Sequence, residues 1–283
     1  MMNKIIIYGF LSIYNSYLKK DRIKKLIKNI LGKREIIVGF NDFRIYASNA
    51  SAIESSIIFN DYTEQIVLDL IKKYALKGYN FIDVGANIGI HSLTAAISNK
   101  QIEIYSFEPE PTNFLRFIKN IGLNHIENIR PFRMGLGKTI GNTVLNVNKG
   151  WNKGKHSIKV QFDENYNEKL NIPVTQLNTF KYNIVGNNFI VKIDVEGFEK
   201  EVIEGANEVF TLFDNCILII ELVQEINEQG ICSEITAFLK ETGFDFVYKI
   251  INQKDFKSTQ NYDGSGDYVF IKGKDAISIF QNS

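Results

Sequence analysis

The chain has 283 residues, 45% of them hydrophobic, and sets 33 Lys and Arg against 32 Asp and Glu. Such a length accommodates one large α/β domain with an appendage and is too short for two full catalytic domains. The near-balance of charge excludes a global basic field for nucleic acid, and no apolar run reaches the roughly 20 residues needed to span a bilayer.

An apolar stretch, Ile5–Tyr17, comes first and is followed by Lys19, Lys20, Arg22, Lys24, Lys25 and Lys28. A secretory signal places its charge before the apolar part and ends in a small-residue cleavage site, so this order points to a cytoplasmic protein. Cys216 and Cys232 are far apart and lack metal-ligand spacing, which reads as two reduced thiols and agrees with that compartment. The stretch Tyr14–Leu31 is expected to be a capping helix. The competing reading is a basic amphipathic segment in weak peripheral contact with an anionic membrane surface. After Gly32, Arg34–Phe40 and Phe43–Ala47 flank a turn at Asn41-Asp42 and predict a hairpin. Residues 1–60 are therefore expected to form a small N-terminal α+β extension, and residues 61–283 the main domain.

Within Gln65–Tyr74 the apolar residues Ile66, Leu70, Ile71 and Tyr74 follow a helical period, and Gly78 closes that helix. From there strand and helix alternate. Strands are predicted at 80–84, 102–107, 128–133, 188–194, 215–221, 244–250 and 267–272, and helices near 89–99, 112–122, 197–210 and 231–242. Alternation of this kind implies a mostly parallel sheet with helices on both faces. Asp267–Lys272 follows its predecessor through a Gly-Ser-Gly loop with no helix between, which predicts an antiparallel last strand. The segment 141–178 breaks the rhythm with strand-like pieces at Thr143–Asn148, Ser157–Phe162 and Ile172–Leu177, and reads as a β/loop insertion on the substrate side.

The first predicted core strand ends in Asp83 and leads through Val-Gly-Ala-Asn-Ile-Gly into a helix. About 25 residues on, Ile102–Phe107 ends in Glu108-Pro109. A glycine loop followed by an acid that can accept both hydroxyls of a ribose fits a dinucleotide or S-adenosylmethionine. Asn87 stands where the second glycine of a dinucleotide loop would be, and Asp83 would repel a pyrophosphate while suiting a sulfonium and an ammonium group. The loop is therefore read as an S-adenosylmethionine site. Gly85, Ala86 and Gly89 admit close backbone approach, Asn87 adds an amide at the helix N-terminus, Glu108 holds the ribose, and Pro109 stiffens the strand exit.

Four motifs in order resemble the FkbM-type family of class I S-adenosylmethionine-dependent methyltransferases: FIDVGANIGIHSL (81–93), SFEPEPTNFLRFIKNIGLN (106–124), KIDVEGFEKEVIEGA (192–206) and ILIIEL (217–222). The resemblance runs from about Tyr62 to about Tyr268. It implies a Rossmann-like class I sheet with an antiparallel last strand, and methylation of a hydroxyl, often on a sugar, glycan or small natural product. Asn178 departs from an aspartate common in the family, which puts a charge-dependent role there in doubt. His91 sits where the family often places a bulkier aromatic.

Ligands of a doubly wound sheet sit outside the carboxyl ends of its strands, where Asp83, Glu108, Asp194, Glu196 and Glu221 are expected. Methyl transfer to a hydroxyl requires alignment and removal of a proton. Asp194 is the first candidate for base or substrate orienter and Glu196 the second, while Glu199 is assigned to capping the helix it begins. Lys192, two residues before Asp194, is expected to pair with a rim carboxylate. His156, beside Trp151 in a Gly-rich loop, is a further candidate proton acceptor that closes over the acceptor. His91 and His125 read as structural. Asp194 with Glu196 or Glu221 can supply oxygen ligands to Mg²⁺, but without further ligands no metal is assigned. The alternatives are an RNA methyltransferase, for which only the N-terminal cluster is basic, and a catalytically silent scaffold, against which the retained acids stand. Acceptor choice is assigned to residues 1–60 and 141–178.

Overall fold

The computed structural model describes residues 29, 32, 34–49, 51–148, 156–159, 167–223 and 230–282. The N-terminal basic cluster and Trp151 lie outside them, as does most of the helix expected over 14–31. The hairpin is formed by β1 (Glu35–Phe40) and β2 (Phe43–Ser48), with Asn41 in the left-handed region at the turn. Helix α1 (Ala52–Ile58) follows. Its N-cap Ser51 accepts the Glu54 amide, satisfying one of the orphan donors of the first turn. Helix α2 (Gln65–Leu76) buries the periodic face Val67, Leu68, Ile71 and Tyr74.

The main sheet comprises β3 (Asn80–Val84), β4 (Ile104–Phe107), β5 (Ile129–Phe132), β9 (Asn188–Ile193), β10 (Asn215–Leu222), β11 (Phe246–Ile251), β12 (Asp255–Thr259) and β13 (Gly266–Lys272). Their spatial order is β12-β11-β13-β10-β9-β3-β4-β5. Strands β5, β4, β3, β9 and β10 pair in parallel, and β13 runs antiparallel between β10 and β11. The antiparallel last strand is as the missing helix before it predicts. Within this sheet one strand was not foreseen: β12 turns back on β11 through Asn252 and Gln253, both at positive φ, inside what reads as a loop. A separate sheet joins β6 (Gly135–Leu136), β8 (Asn167–Thr175) and β7 (Gly141–Asn148) in that order. The stretch Ile172–Leu177 leaves the strand early, since Leu177–Phe180 forms a 3₁₀ turn.

Side chains alternate across the main sheet and divide the core in two. Phe81, Ile190, Ile217 and Ile219 face one layer with α2, α3 (Ile90–Ser98) and the terminal helix α8 (Lys274–Gln281); Val38, Phe40, Phe43 and Ile45 of the hairpin pack into that same layer. Ile82, Val191, Leu218 and Ile220 face the other, built on α5 (Glu199–Glu204), α6 (Asn207–Leu212) and α7 (Ile231–Glu241). Helix α4 (Pro111–Leu123) borders the first layer through Phe117.

The single helix expected over 197–210 is two. The Gly205 carbonyl accepts the Asn178 amide at 3.0 Å instead of continuing the ladder. Asn178 Oδ1 then accepts the amides of Glu208 and Val209 and so caps α6. An amide serves this role without a charge.

Candidate active site

The turn after β3 is held by its neighbours on both sides. Gly85 and Ala86 donate to the Phe107 carbonyl at 2.9 and 3.0 Å, and Asp194 donates to the Val84 carbonyl at 3.0 Å. Gly85 has φ +87°, and a Cβ there would lie 1.9 Å from the Asp194 carbonyl oxygen, so only glycine fits. Asn87, also left-handed at φ 53°, aims its N–H at Glu108 Oε2, 2.7 Å away. Glu108 Oε1 accepts the Glu110 amide at 2.8 Å. Burial pushes the Glu108 carboxyl up to about 8 against the pull of these two donors.

The cavity beside this turn has a volume of about 330 Å³, within the range of small-molecule sites. It is lined by Gly85, Ala86, Asn87, Glu108 and Pro109 and also by Asp194, Glu196 and His156, so most candidate residues meet in one place. Two do not reach its surface. Asp83 is fully buried behind the turn, its Oδ2 accepting the Ser92 hydroxyl at 2.5 Å, and burial raises its pKa. Gly89, the N-cap of α3, is set back; the space its missing side chain leaves is taken by the Phe117 ring, 2.1 Å from where a Cβ would be. His156 Nδ1 accepts the Asn148 amide at 3.1 Å, and burial lowers its pKa. Ser157 donates to the Glu196 carbonyl at 2.6 Å, which ties this segment to the turn after β9. Glu196 itself has φ 51°, a left-handed backbone that costs a non-glycine residue on the order of 1 kcal/mol and clusters at functional sites.

A charged network occupies the end of the cavity away from Glu108. Lys192, paired in register with Asp83 on the layer of α2 and α3, donates to Asp194 Oδ2 at 2.8 Å. Burial disfavours its charge, but Asp194, Glu64 and Asp83 outweigh burial and hold the ammonium protonated. Glu64 is held well below the usual carboxylate range: burial opposes this, and contact with His91, the Lys192 charge and the Tyr62 hydroxyl prevail. His91 Nε2 lies 3.1 Å from Glu64 Oε2 and 3.5 Å from the Tyr62 hydroxyl. Asp194, Glu196 and Glu221 bring carboxylate oxygens within 4.8 Å of one another. Oxygen ligands of this kind suit a hard cation, though a carboxylate cluster alone defines no site. Glu199 Oε1 accepts the amide of Gly197, two residues before α5 begins, at 3.0 Å.

A family profile described as the methyltransferase FkbM domain matches residues 83–246, more than half of the chain. The chain belongs to the FkbM methyltransferase family. It is an S-adenosylmethionine-dependent methyltransferase. Methyltransferase 1 of Beauveria bassiana is 26% identical over 228 residues, 72% of this chain and 86% of that protein. The hexuronic acid methyltransferase AglP of Haloferax volcanii is 25% identical over 196 residues, 64% of this chain and 75% of that protein. A crystal structure of a methyltransferase FkbM from Methylobacillus flagellatus is similar at 16% identity and a TM-score of 0.44, covering 68% of this chain and 43% of that one.

The residues of this FkbM methyltransferase fit its cofactor. Asn87 Oδ1 is buried without a hydrogen-bond partner at the cavity wall, an acceptor suited to an ammonium group. Glu108 presents a carboxylate site for hydroxyl donors beside it. Sequence reasoning missed Tyr62 and Glu64 and took His91 for a structural residue, yet all three line the cavity. The only local signal was an acid and an aromatic just before a helix, which is common on ordinary surfaces. Among the described residues no helix is long and apolar enough to cross a membrane.

Proposed function

We propose that this FkbM methyltransferase transfers methyl to a hydroxyl of a sugar, glycan or small natural product, and that the acceptor is uncharged. The observation that carries this is the commitment of Lys192. It is bound to Asp194 and balanced by Glu64, while Glu64, Asp194 and Glu196 line the same cavity. Carboxylates accept hydrogen bonds from hydroxyls and repel an anionic acceptor. The sugar class is supported by the relative whose name is a hexuronic acid methyltransferase, although the charge balance here favours a hydroxyl over a uronate carboxylate.

When bound, S-adenosylmethionine supplies an electrophilic methyl group. Glu108 is assigned to the ribose hydroxyls, the Asn87 amide oxygen to the ammonium, and Gly85 and Ala86 to close backbone approach, with Pro109 bounding the exit. Asp83 and Gly89 act from behind, through Ser92 and Phe117, to fix the turn and α3. Asp194 and Glu196 orient the acceptor. Alignment of the reacting atoms supplies up to roughly 7–11 kcal/mol of the barrier reduction. Ala52, Ile53 and Ser56 from the first 60 residues, and Leu145, His156 and Ile158 from 141–178, line the cavity, and we assign acceptor choice to them. The buried Cys216 and Cys232, neither of them in a disulfide, support a cytoplasmic setting.

The test is incubation of the protein with methyl-labelled S-adenosylmethionine and a panel of methyl glycosides, phenols and uronic acids. Label is expected in an ether that survives mild alkali, and Asp194→Asn is expected to lower kcat more than it raises KM. An alkali-labile ester as the sole product overturns the hydroxyl acceptor.

A further inference from the structure

A hydroxyl is a poor nucleophile until its proton is removed, so a proton acceptor is required at the acceptor end of the cavity. Asp194, a carboxylate on the cavity wall at the end of β9, already has Oδ2 occupied by Lys192. The structure offers a second group. We propose that His91, held in one tautomer by Glu64, is the general base of methyl transfer.

His91 stands in the first turn of α3, two residues after Gly89, so the helix that begins at the cofactor turn also carries the imidazole. Its Nε2 faces Glu64 Oε2 at 3.1 Å. An ionised carboxylate only accepts, so the proton between them belongs to Nε2. Tyr62 donates to the same Glu64 oxygen at 3.4 Å and leaves Nε2 to its carboxylate. A neutral imidazole protonated at Nε2 has Nδ1 as its acceptor. Among the described residues Nδ1 has no hydrogen-bond partner, and His91 lines the cavity together with Asn87, Glu108 and Asp194. A base oriented by a carboxylate through its other nitrogen is the arrangement that activates hydroxyl nucleophiles generally.

The role presupposes the hydroxyl acceptor proposed above. The acceptor oxygen bonds to the methyl carbon as the S–CH₃ bond breaks with its electron pair left on sulfur. The hydroxyl proton passes to His91 Nδ1, and the imidazolium so formed is balanced by Glu64. The charged and titratable groups acting on the ring are Tyr62 and Glu64 before α2, Asp83 on β3 and Asp267 on β13, and Lys192 and Asp194 at the end of β9 line the same cavity.

The chain has three histidines, His91, His125 and His156, so ¹⁵N-histidine labelling of the full chain yields three assignable rings. With S-adenosylhomocysteine bound, the His91 ring is expected to carry its proton on Nε2, the nitrogen that faces Glu64. Glu64→Gln is expected to mix its tautomers. In turnover on whichever hydroxyl probe of the panel accepts label, His91→Ala is expected to lower kcat by about 10²–10⁴-fold. S-adenosylhomocysteine affinity should stay within about threefold, and added imidazole should restore part of the rate. Should His91→Ala fail to fold, as judged by loss of that affinity, His91→Gln takes its place in the same assay. A proton on Nδ1, or full kcat in a folded His91 variant, overturns the proposal. If the wild type methylates no hydroxyl probe, the hydroxyl acceptor falls, and the ring spectrum still decides the Glu64–His91 arrangement.

Discussion

Glu108 accepts the Asn87 amide at 2.7 Å, so the acid that ends β4 and the turn that follows β3 form one rigid unit before any cofactor arrives. Burial leaves that acid protonated in the free protein until about pH 8. Ribose hydroxyls donate best to the ionised form, so binding is expected to release a proton at neutral pH. S-adenosylhomocysteine affinity should rise with pH, by up to about tenfold per unit, and level off above pH 8. Titration calorimetry in buffers of different ionisation heat checks this; proton uptake would contradict it.

The same shift has a consequence for stability. Between its ordinary value of 4.5 and about 8, Glu108 holds more proton in the folded chain than in the unfolded one. Its contribution to unfolding free energy therefore falls as pH rises through that window. Glu108→Gln should abolish this fall. Relative to wild type, the melting temperature of the variant is expected to climb steadily from pH 5 to pH 8, with cofactor binding weakened at every pH.

Lys192→Met removes the cation beside Asp194 and Glu64 and strands their charge. Breaking a buried pair costs about 3–5 kcal/mol, and the 30% exposure of the Asp194 side chain places this case near 3. Urea unfolding at pH 7 measures it. The double change Lys192→Met with Asp194→Asn should recover much of the loss, since it removes one of the stranded charges.

At Gly85 an added methyl would meet the Asp194 carbonyl at 1.9 Å from a backbone at φ +87°. Gly85→Ala is expected to cost about 2 kcal/mol or more and to abolish S-adenosylhomocysteine binding, because turn and strand must part. Retained binding at wild-type affinity would show that the turn tolerates separation from β9.

Asn178 caps α6, with its amide oxygen accepting from Glu208 and Val209 at 3.1 and 3.2 Å. Asn178→Ala should lower stability by about 1 kcal/mol, whereas Asn178→Asp should be neutral or mildly stabilising, since an acid is favoured at a helix N-terminus. Thermal unfolding separates the two. Turnover should be unchanged in both.

Much of the fold was legible because its signals are local. The run from Phe81 to Thr94 contains strand, turn and helix in one continuous stretch, and its glycines mark the turn without reference to anything distant. Glu108 and Asp194 were legible for a related reason: each ends an apolar run, and strand ends of a parallel sheet share one rim. The break at Gly205 was not legible. It depends on the Asn178 amide, 27 residues earlier, reaching a carbonyl that a helical pattern would have used internally. Strand β12 escaped notice because half of its alternation faces solvent on a sheet edge, where polar residues are tolerated.

By itself the sequence determined the alternating α/β architecture, the glycine turn after β3 and the acids at the strand ends, since hydrophobic period and turn chemistry act over a few residues. Only the tertiary structure decided which of these acids stay at the cavity and which sink behind it, as Asp83 does. It also decided that Tyr62, Glu64 and His91 meet Lys192. Those contacts join segments far apart in the chain, and the charge each group carries depends on the burial and partners that packing brings together.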